Sequence, residues 1–429
     1  MLIASRLARS GLVDAYAVYE RDGTWSFFGG IEGAVVLRRD TVTASWHGRV
    51  HHRYTTTDQP LRQVAGLLAS GPYPDWRGYG WAAFELAYLL HHRPDLIAAA
   101  ADEPLLYVAL PSVEVTLRRD GAVLSGTDGQ LIAQCADVIR DSATESDYWP
   151  KSLGVEDVDR IYLRMVAKSL GELRGRQLNK VILSRTLPID FELDLPATYL
   201  LGRRGNTPAR SFLVRLGDIE VAGFSPETVV EVDRSGRVST QPLAGTRALT
   251  GRREEDHRLR LALLRDPKEI FEHAISVKLA YDELSGLCGQ ARVEDFMAVR
   301  ERGTVQHLAS RVSGRLTGGA DAWDALGALF PAVTGSGSPK VKALEAIQRY
   351  ESEPRGLYSG AVLTVDSTGA MDAALVLRAI YRRAGRSWLR AGAGIVEHST
   401  PEREHEETCE KLRSVARYLV PAVSTLGQP

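Results

Sequence analysis

Four glutamates occur as two pairs with helical spacing, and this spacing suits them to bind a cation. Glu404 and Glu407 are three residues apart, and Glu269 and Glu272 repeat that spacing far earlier in the chain. Residues three apart share one side of an α-helix. Two like charges on a side that faces the core repel each other and lose hydration, so each pair needs a positive partner. Because Mg²⁺ prefers oxygen ligands, one such ion could serve both pairs.

The second pair lies on a predicted helix that begins at Thr400 and Pro401. Thr400 can cap free N–H groups, and Pro401 fits the first helical position. At 100° per residue, Glu404, Glu407 and Lys411 fall on the side that continues into apolar residues. Those residues are Leu412, Val415 and Leu419. The alternative is a surface helix with an acidic first turn and a Glu407–Lys411 ion pair.

The first pair lies on a second predicted helix, over 266–280. Apolar residues occur around much of its circumference, so we expect it to be largely buried. They are Ile270, Phe271, Ala274, Ile275, Val277 and Leu279. The two helices therefore both predict acidic side chains that point into the protein.

Lys180 and Glu227 are candidates for acid–base chemistry. Lys180 lies in a predicted strand over 179–185, where it shares a face with Ile182 and Ser184. Such a lysine is either a strand-end residue that extends to water or a desolvated amine that can act as a base. Glu227 follows a Ser-Pro turn at the point where a strand resumes. On its own it would be interpreted as an ordinary loop acid.

Three further segments could bind an anionic ligand. Gly245 and Thr246 could offer a backbone N–H and a hydroxyl. Arg378 lies among apolar neighbours on a predicted strand over 372–381, and arginine holds carboxylates in a bidentate manner. A glycine-rich turn is predicted at 391–394, but it lacks the third glycine and the βαβ context of a dinucleotide-binding loop.

The composition is that of a globular protein without a strong overall charge. The 429 residues include 53 basic and 54 acidic ones, and the resulting net charge of −1 gives no field that favours nucleic acid or an anionic membrane. The three cysteines are far apart, which argues against a disulfide framework or a zinc cluster. Neither a signal peptide nor an apolar run of about 20 residues is present. We therefore expect a cytoplasmic protein that does not enter membranes.

Six segments of the sequence form, in this order, a pattern typical of one enzyme family. They are 180–185, 223–227, 242–248, 268–277, 356–360 and 391–412. Together they resemble the chorismate-utilising enzymes, and among them the salicylate synthases of siderophore pathways. The resemblance covers about 157–420. It implies an α+β fold with two face-packed β-sheets flanked by helices. It also implies a single domain over 1–429, in which 1–150 completes the sandwich and 157–422 is the catalytic, chorismate-binding region.

The resemblance also assigns roles to the candidate residues. It implies that Glu272, Glu404 and Glu407 hold Mg²⁺, with Glu269 as a direct or water-mediated ligand. Chorismate carries two carboxylates, and the resemblance implies that one binds the metal and that the other is held at the cleft. The substrate-binding residues would be Gly245, Thr246, His307, Thr334, Tyr358, Arg378, Gly392, Gly394 and Lys411.

In this family Lys180 would take a proton from the water that attacks ring carbon C2, and Glu227 would donate to the departing C4 hydroxyl. Isochorismate forms, and a second step expels pyruvate and leaves salicylate. An isochorismate synthase that stops after the first step has the same lysine, so that alternative stays open. A non-catalytic relative that only binds chorismate or metal is a third hypothesis. Because the base activates water and not ammonia, no glutaminase subunit is expected, and we expect a monomer.

Overall fold

The structure, a computed structural model, describes residues 1–97, 102–141, 147–303 and 305–422. The strands are β1 (Tyr16–Arg21), β2 (Thr24–Gly29), β3 (Gly33–Leu37), β4 (Thr41–Trp46), β5 (Arg49–Thr55), β6 (Arg77–Ala82), β7 (Leu106–Leu110), β8 (Val113–Leu117), β9 (Ala122–Gly126), β10 (Lys180–Ile189), β11 (Arg210–Leu216), β12 (Ile219–Ser225), β13 (Thr228–Val232), β14 (Arg237–Thr240), β15 (Leu243–Ala248), β16 (Arg292–Arg302), β17 (Val305–Arg315), β18 (Gly337–Ser338), β19 (Ala361–Asp366), β20 (Met371–Leu375), β21 (Ala379–Arg383) and β22 (Arg386–Ile395). The helices are α1 (Leu2–Arg9), α2 (Pro60–Ala69), α3 (Leu86–Leu90), α4 (Gly129–Arg140), α5 (Arg160–Arg174), α6 (Leu195–Gly205), α7 (Arg253–Leu263), α8 (Pro267–Ser285), α9 (Ala322–Leu329), α10 (Lys340–Tyr350) and α11 (Pro401–Ala416), and Pro94–Leu96 forms a 3₁₀ turn.

The strands of the described residues form two sheets. The ten-stranded sheet has the order β18-β10-β22-β21-β12-β11-β1-β2-β8-β9. The twelve-stranded sheet has the order β15-β17-β14-β13-β20-β19-β6-β7-β3-β4-β5, and β16 also pairs with β17. The described strand pairs are antiparallel. Strands from the N-terminal third, β1 to β9, extend both sheets at one end.

An apolar layer lies between the two sheets. Ala17, Phe212 and Val214 contribute to it from the ten-stranded sheet, and Trp81 and Val362 from the twelve-stranded sheet. Alternate residues of each strand point into this layer, as face-to-face packing requires. The predicted α+β fold with two face-packed sheets flanked by helices is confirmed. The division into 1–150 and 157–422 stays a prediction.

Helices α8 and α11 carry the two glutamate pairs. The Thr400 side chain accepts a hydrogen bond from the Arg403 N–H at 3.4 Å, so α11 begins where the sequence predicts. Asp266 caps α8 in the same way. Helix α11 packs against β22 and α5, and α8 packs against β15 and β17. No helix of the described ranges is long and apolar enough to cross a membrane.

The prediction that α8 is buried around most of its circumference is wrong. Phe271 is 48% exposed, whereas the charged side of the helix is buried. The buried residues are Lys268, Glu269, Glu272, His273, Ser276, Val277, Ala280 and Leu284. The helix faces a cluster of charges, so its polar side is the inner one over its first half.

The predicted strand over 372–381 consists of two strands in different sheets. β20 belongs to the twelve-stranded sheet and β21 to the ten-stranded sheet, and the chain crosses between them at Val376–Arg378. Arg378 has φ of 51°, a left-handed conformation that an uninterrupted strand does not contain. The prediction that Arg378 shares a strand face with its apolar neighbours is therefore wrong.

The predicted glycine turn at 391–394 is also wrong, because this segment lies inside β22. Gly392 is paired with Ser184 and Gly394 with Ile182 of β10. A Cβ atom on Gly394 would lie 2.1 Å from Glu272 Oε1, and one on Gly392 would lie 2.6 Å from the Leu183 carbonyl oxygen. These glycines allow neighbouring atoms to approach the backbone of β22 closely, and they do not form a turn.

Candidate active site

A cleft of about 750 Å³ lies between the sheets, lined by β10 and β22 on one side and by β15 and β17 on the other. The predicted site residues that line it are Glu227, Gly245, Thr246, Glu272, His307, Thr334, Tyr358, Arg378, Gly392, Gly394, Glu407 and Lys411. The other three, Lys180, Glu269 and Glu404, are buried beside this lining. The structure thus brings the predicted residues together, although their roles stay proposals.

The four glutamates of α8 and α11 surround one ammonium group, that of Lys268. Its Nζ atom lies 3.2 Å from Glu272, 3.5 Å from Glu404, 3.7 Å from Glu407 and 3.8 Å from Glu269, measured to the nearest carboxylate oxygen. No three carboxylates, imidazoles or thiolates in the described ranges converge closely enough to form a ready metal shell. Lys268 is not among the site residues predicted from the sequence. Its signal was the i, i+4 spacing to Glu272, which pairs lysine with glutamate.

The two glutamates of α11 have opposite pKa shifts. Burial raises the pKa of Glu404 to about 7, and both of its carboxylate oxygens lack a hydrogen-bond partner among the described residues. Burial also acts on Glu407, but the ammonium groups of Lys411 and Lys268 prevail and lower the pKa of Glu407 to about 2. The two carboxylates of α11 therefore differ, because Glu407 has a second ammonium group, that of Lys411, in addition to Lys268.

The carboxylate oxygens without a hydrogen-bond donor provide a test of whether a divalent cation fits. One oxygen each of Glu269 and Glu272 is buried without a hydrogen-bond partner in the described structure, in addition to the two oxygens of Glu404. Buried carboxylate oxygens need a cation or a donor, and a set made only of carboxylates is the kind that Mg²⁺ binds. The residues present fit such an ion.

Two arginines enclose the outer side of the cluster. Arg247 donates to Glu269 at 3.0 Å, and Arg403 donates to the same oxygen at 2.6 Å. Both also hold Asp266, the cap of α8, at 2.5 and 3.0 Å. Because these contacts engage one oxygen of Glu269 only, its other oxygen remains on the side of Gly245.

Lys180 is fully buried, so the interpretation as a strand-end lysine in water is wrong. Its Nζ atom lies 3.0 Å from Glu272 Oε1 and donates to Ser276 Oγ at 3.1 Å. The Ser276 hydroxyl in turn donates to the Glu272 carbonyl oxygen at 2.9 Å. Two contacts from one helix therefore hold the amine in place at the end of β10.

Glu227 lies between β12 and β13 and is 2% exposed, so it is not an ordinary loop acid. The Leu243 N–H donates to its Oε2 at 2.9 Å, and Oε1 is hydrogen-bonded to the Thr334 hydroxyl. Burial raises the pKa of Glu227 to about 7. The carboxyl group can therefore hold a proton near neutral pH, as a general acid must.

His307 connects Arg378 to Thr246. The Arg378 guanidinium donates to His307 Nε2 at 2.8 Å, and His307 Nδ1 lies 3.0 Å from Thr246 Oγ1. Burial and the charge of Arg378 hold the pKa of His307 well below its usual range, so the ring is neutral. A guanidinium cannot accept, so Nδ1 carries the hydrogen and donates it to Thr246. The Thr246 hydroxyl is then free to donate into the cleft.

Tyr358 and Lys411 complete the cationic side of the cleft. The guanidinium groups of Arg355 and Arg390 each lie 5.5 Å from the centroid of the Tyr358 ring. Lys411 donates to Glu407 at 2.8 Å and to the Gly392 carbonyl oxygen at 2.9 Å. Arg390 also lines the cleft, and the sequence analysis did not identify it. The site thus combines an acid, a buried amine and several donors suited to an anion.

Comparisons with known proteins agree with this geometry. The family model for chorismate binding enzymes matches residues 15–417. The chain is 42% identical over 414 residues to the salicylate synthase of Mycolicibacterium paratuberculosis, an alignment that covers 95% of this chain and 90% of that protein. It is 33% identical over 318 residues to anthranilate synthase component 1 of Methanothermobacter thermautotrophicus, with 72% and 68% covered.

Solved structures share the fold at lower sequence identity. Anthranilate synthase component I from Streptococcus pneumoniae superposes with a TM-score of 0.77 at 24% identity, covering 92% of each chain. The menaquinone-specific isochorismate synthase MenF from Escherichia coli gives a TM-score of 0.72 at 21% identity, covering 97% of this chain and 90% of that one.

Proposed function

This chain belongs to the family of chorismate binding enzymes, and we propose that it converts chorismate to salicylate and pyruvate through isochorismate. The observation that carries the proposal is the 42% identity to a salicylate synthase over 95% of the chain. The cleft supports it, because a buried amine, a carboxyl group whose pKa is raised to about 7 and a set of anion-binding donors occur together there. We also infer that the enzyme is a cytoplasmic monomer without a glutaminase subunit, and that its salicylate serves siderophore synthesis.

The two carboxylates of chorismate would be held at two places in the cleft. Arg378 and the Tyr358 hydroxyl would bind one of them, with Lys411 nearby, because Arg378 uses one nitrogen for His307 and keeps others for a ligand. The Thr246 hydroxyl and the backbone at Gly245 would contact the other. These donors are buried, so they would bind an anion more strongly than donors in water.

Mg²⁺ would be held by Glu272, Glu404 and Glu407, with Glu269 as a direct or water-mediated ligand. Bound there, the ion would take one substrate carboxylate and offset its charge. The oxygens of Glu404, Glu269 and Glu272 that have no hydrogen-bond donor in the described structure support this assignment.

In the first step Lys180 would remove a proton from the water that attacks C2, and Glu227 would supply the proton with which the C4 hydroxyl departs. This division of roles needs Lys180 neutral and Glu227 protonated. The raised pKa of Glu227 supports the second requirement, because a group with a pKa near the working pH is the most effective acid.

In the second step the C2 hydrogen would pass to the pyruvyl methylene while the bond between the ring and the pyruvyl oxygen breaks. This transfer occurs within the substrate, so no side chain has to exchange a proton. The protein's contribution is to hold the pyruvyl group over the ring and to exclude water.

Purified protein incubated with chorismate and Mg²⁺ tests the proposal. We expect salicylate fluorescence to rise together with pyruvate, which a coupled dehydrogenase assay measures, and EDTA to stop both. Accumulation of isochorismate without salicylate would assign the enzyme as an isochorismate synthase. Binding of chorismate without any product would assign it as a non-catalytic relative.

A further inference from the structure

The hydrogen bonds of Glu227 restrict where its acidic proton can lie. Its Oε2 atom accepts a hydrogen bond from the backbone N–H of Leu243 at 2.9 Å. A backbone N–H can only donate, so Oε2 acts as the acceptor oxygen of the carboxyl group. The other oxygen, Oε1, is hydrogen-bonded to the Thr334 hydroxyl. Of these two partners only the Thr334 hydroxyl can accept the proton of the neutral carboxyl group, so we place that proton on Oε1.

Thr334 can both accept and donate a proton at this position. A hydroxyl has one hydrogen to donate and two lone pairs that accept. If it accepts the proton of Glu227, its own hydrogen is free to point elsewhere. Thr334 and Glu227 both line the cleft, so the hydroxyl lies beside both the carboxyl group and the substrate space.

The backbone around Thr334 holds this hydroxyl in place. The Gly335 N–H donates to the Ala332 carbonyl oxygen at 2.8 Å, and the Ser336 hydroxyl donates to the same oxygen at 2.9 Å. The buried guanidinium of Arg355 donates to the Gly335 carbonyl oxygen at 2.7 Å. Three hydrogen bonds within a few residues fix the turn that presents Thr334, as a relay of protons requires.

We propose that Thr334 is a catalytic residue that relays the proton from Glu227 to the departing C4 hydroxyl. The inference rests on the proposed function and extends it. The bond between C4 and its oxygen breaks, and the electron pair stays on that oxygen, which takes the Thr334 hydrogen. Thr334 takes the proton of Glu227, which becomes a carboxylate. At C2 the water oxygen bonds to the ring, Lys180 takes its proton, and the two ring double bonds each shift by one position.

The competing mechanism is direct donation from Glu227, with Thr334 only supporting the carboxyl group. Three variants separate the two mechanisms. Thr334→Val keeps the shape of the side chain and removes the hydroxyl, and Thr334→Ser restores a hydroxyl. Thr127→Val is the matched control, because it removes a threonine hydroxyl that donates to a glutamate, Glu32, away from the cleft.

Each variant is assayed with chorismate and, separately, with isochorismate as substrate. The relay predicts that Thr334→Val lowers conversion of chorismate by about 100-fold, as loss of a general acid does. Conversion of isochorismate to salicylate needs no acid, so the relay predicts a far smaller loss for that substrate. Thr334→Ser and Thr127→Val should stay within about fivefold of the unchanged enzyme with both substrates.

Three results would overturn the relay. The first is Thr334→Val with chorismate turnover within about fivefold of the unchanged enzyme, because Glu227 then donates directly. The second is an equal loss with both substrates, because the hydroxyl then acts outside the acid step. The third is that Thr334→Ser is as inactive as Thr334→Val, because a hydroxyl at this position then does not restore the activity. The proposed function fails in a different experiment, namely when the unchanged protein does not consume chorismate.

Discussion

Lys180 Nζ lies 3.0 Å from Glu272 Oε1, and the two side chains are 1% and 6% exposed. A strand residue of the ten-stranded sheet is thereby joined to a helix residue of the carboxylate cluster. The contact places the proposed base and the proposed metal ligands in one group of charges, so a change at either residue affects the other.

Replacement of Lys180 tests its assignment as the base. Lys180→Ala should lower water addition to chorismate by about 1,000-fold, because alanine cannot accept the proton of the attacking water. In this variant Glu272 still has Lys268 at 3.2 Å, so its buried charge stays paired and the fold is retained. The circular dichroism spectrum should therefore not change. Lys168→Ala, an exposed lysine of α5, is the control. Lys180 is not the base if the variant still forms isochorismate from chorismate at the normal rate.

The pKa of Glu227 leads to a prediction about pH. The acid must be protonated, so turnover of chorismate should fall as pH rises through about 7. Glu227→Gln should reduce that turnover by about 1,000-fold and remove this part of the profile. The pH profile of chorismate conversion, measured by product formation, checks both. A profile that is flat above pH 7 would contradict the assignment of Glu227 as the acid.

The same carboxyl group also affects stability. Its pKa is raised on folding, so between its ordinary value of 4.5 and about 7 the unfolded chain loses the proton first. The contribution of Glu227 to stability is therefore fully present below that window and declines as pH rises through it. Glu227→Gln stays neutral, so the difference between its unfolding midpoint and that of the unchanged protein should grow over this range of pH.

Gly394 is predicted to tolerate no side chain. A Cβ atom there would lie 2.1 Å from Glu272 Oε1 and 3.1 Å from Lys180 Cε. Gly394→Ala should lower the free energy of unfolding by about 1–3 kcal/mol and turnover by about 100-fold. Gly171→Ala in α5 is the control, because its Cβ meets no atom within 4 Å. Denaturant unfolding and the salicylate assay measure both effects, and equal behaviour of the two variants would contradict the prediction.

The carboxylate cluster predicts a stabilising effect of Mg²⁺ that does not depend on activity. Mg²⁺ should raise the unfolding midpoint, because a ligand of the folded state alone stabilises that state. Lys268→Met should destabilise the metal-free protein by about 3 kcal/mol and increase the shift that Mg²⁺ causes. Lys278→Met, an exposed lysine of the same helix, should change neither. If Mg²⁺ changes the unfolding midpoint of neither the unchanged protein nor any variant, the proposed metal site is contradicted.

The sequence was informative where a local rule acts. The i, i+3 spacing of the glutamates and the Thr400-Pro401 start of α11 depend on helix geometry alone, and both are found in the structure. The fold class and the family followed from six segments taken in order. Residues that touch within one element, or that start it, can be identified from neighbours in the chain.

Contacts between distant elements were not predictable in this way. Lys268 meets two glutamates of α11 only because α8 and α11 adjoin, which no spacing reveals. Glycine favours turns, so the sequence predicts a turn at Gly392 and Gly394. In the structure both residues lie in a strand, where neighbouring atoms leave no room for a side chain. The crossing at Arg378 depends on which sheet each strand joins. These features come from tertiary packing, which overrides local preference.

The chain order of the paired strands has a consequence for fragments of this protein. β11 pairs with β1 and β19 pairs with β6, so segments from the first hundred residues cover one edge of each sheet that carries the cleft. A chain that begins at β10 would present both edges, with their free N–H and carbonyl groups, to other chains. The first strands therefore protect these edges, because they occupy the hydrogen-bonding groups with which a second copy of the chain could otherwise pair.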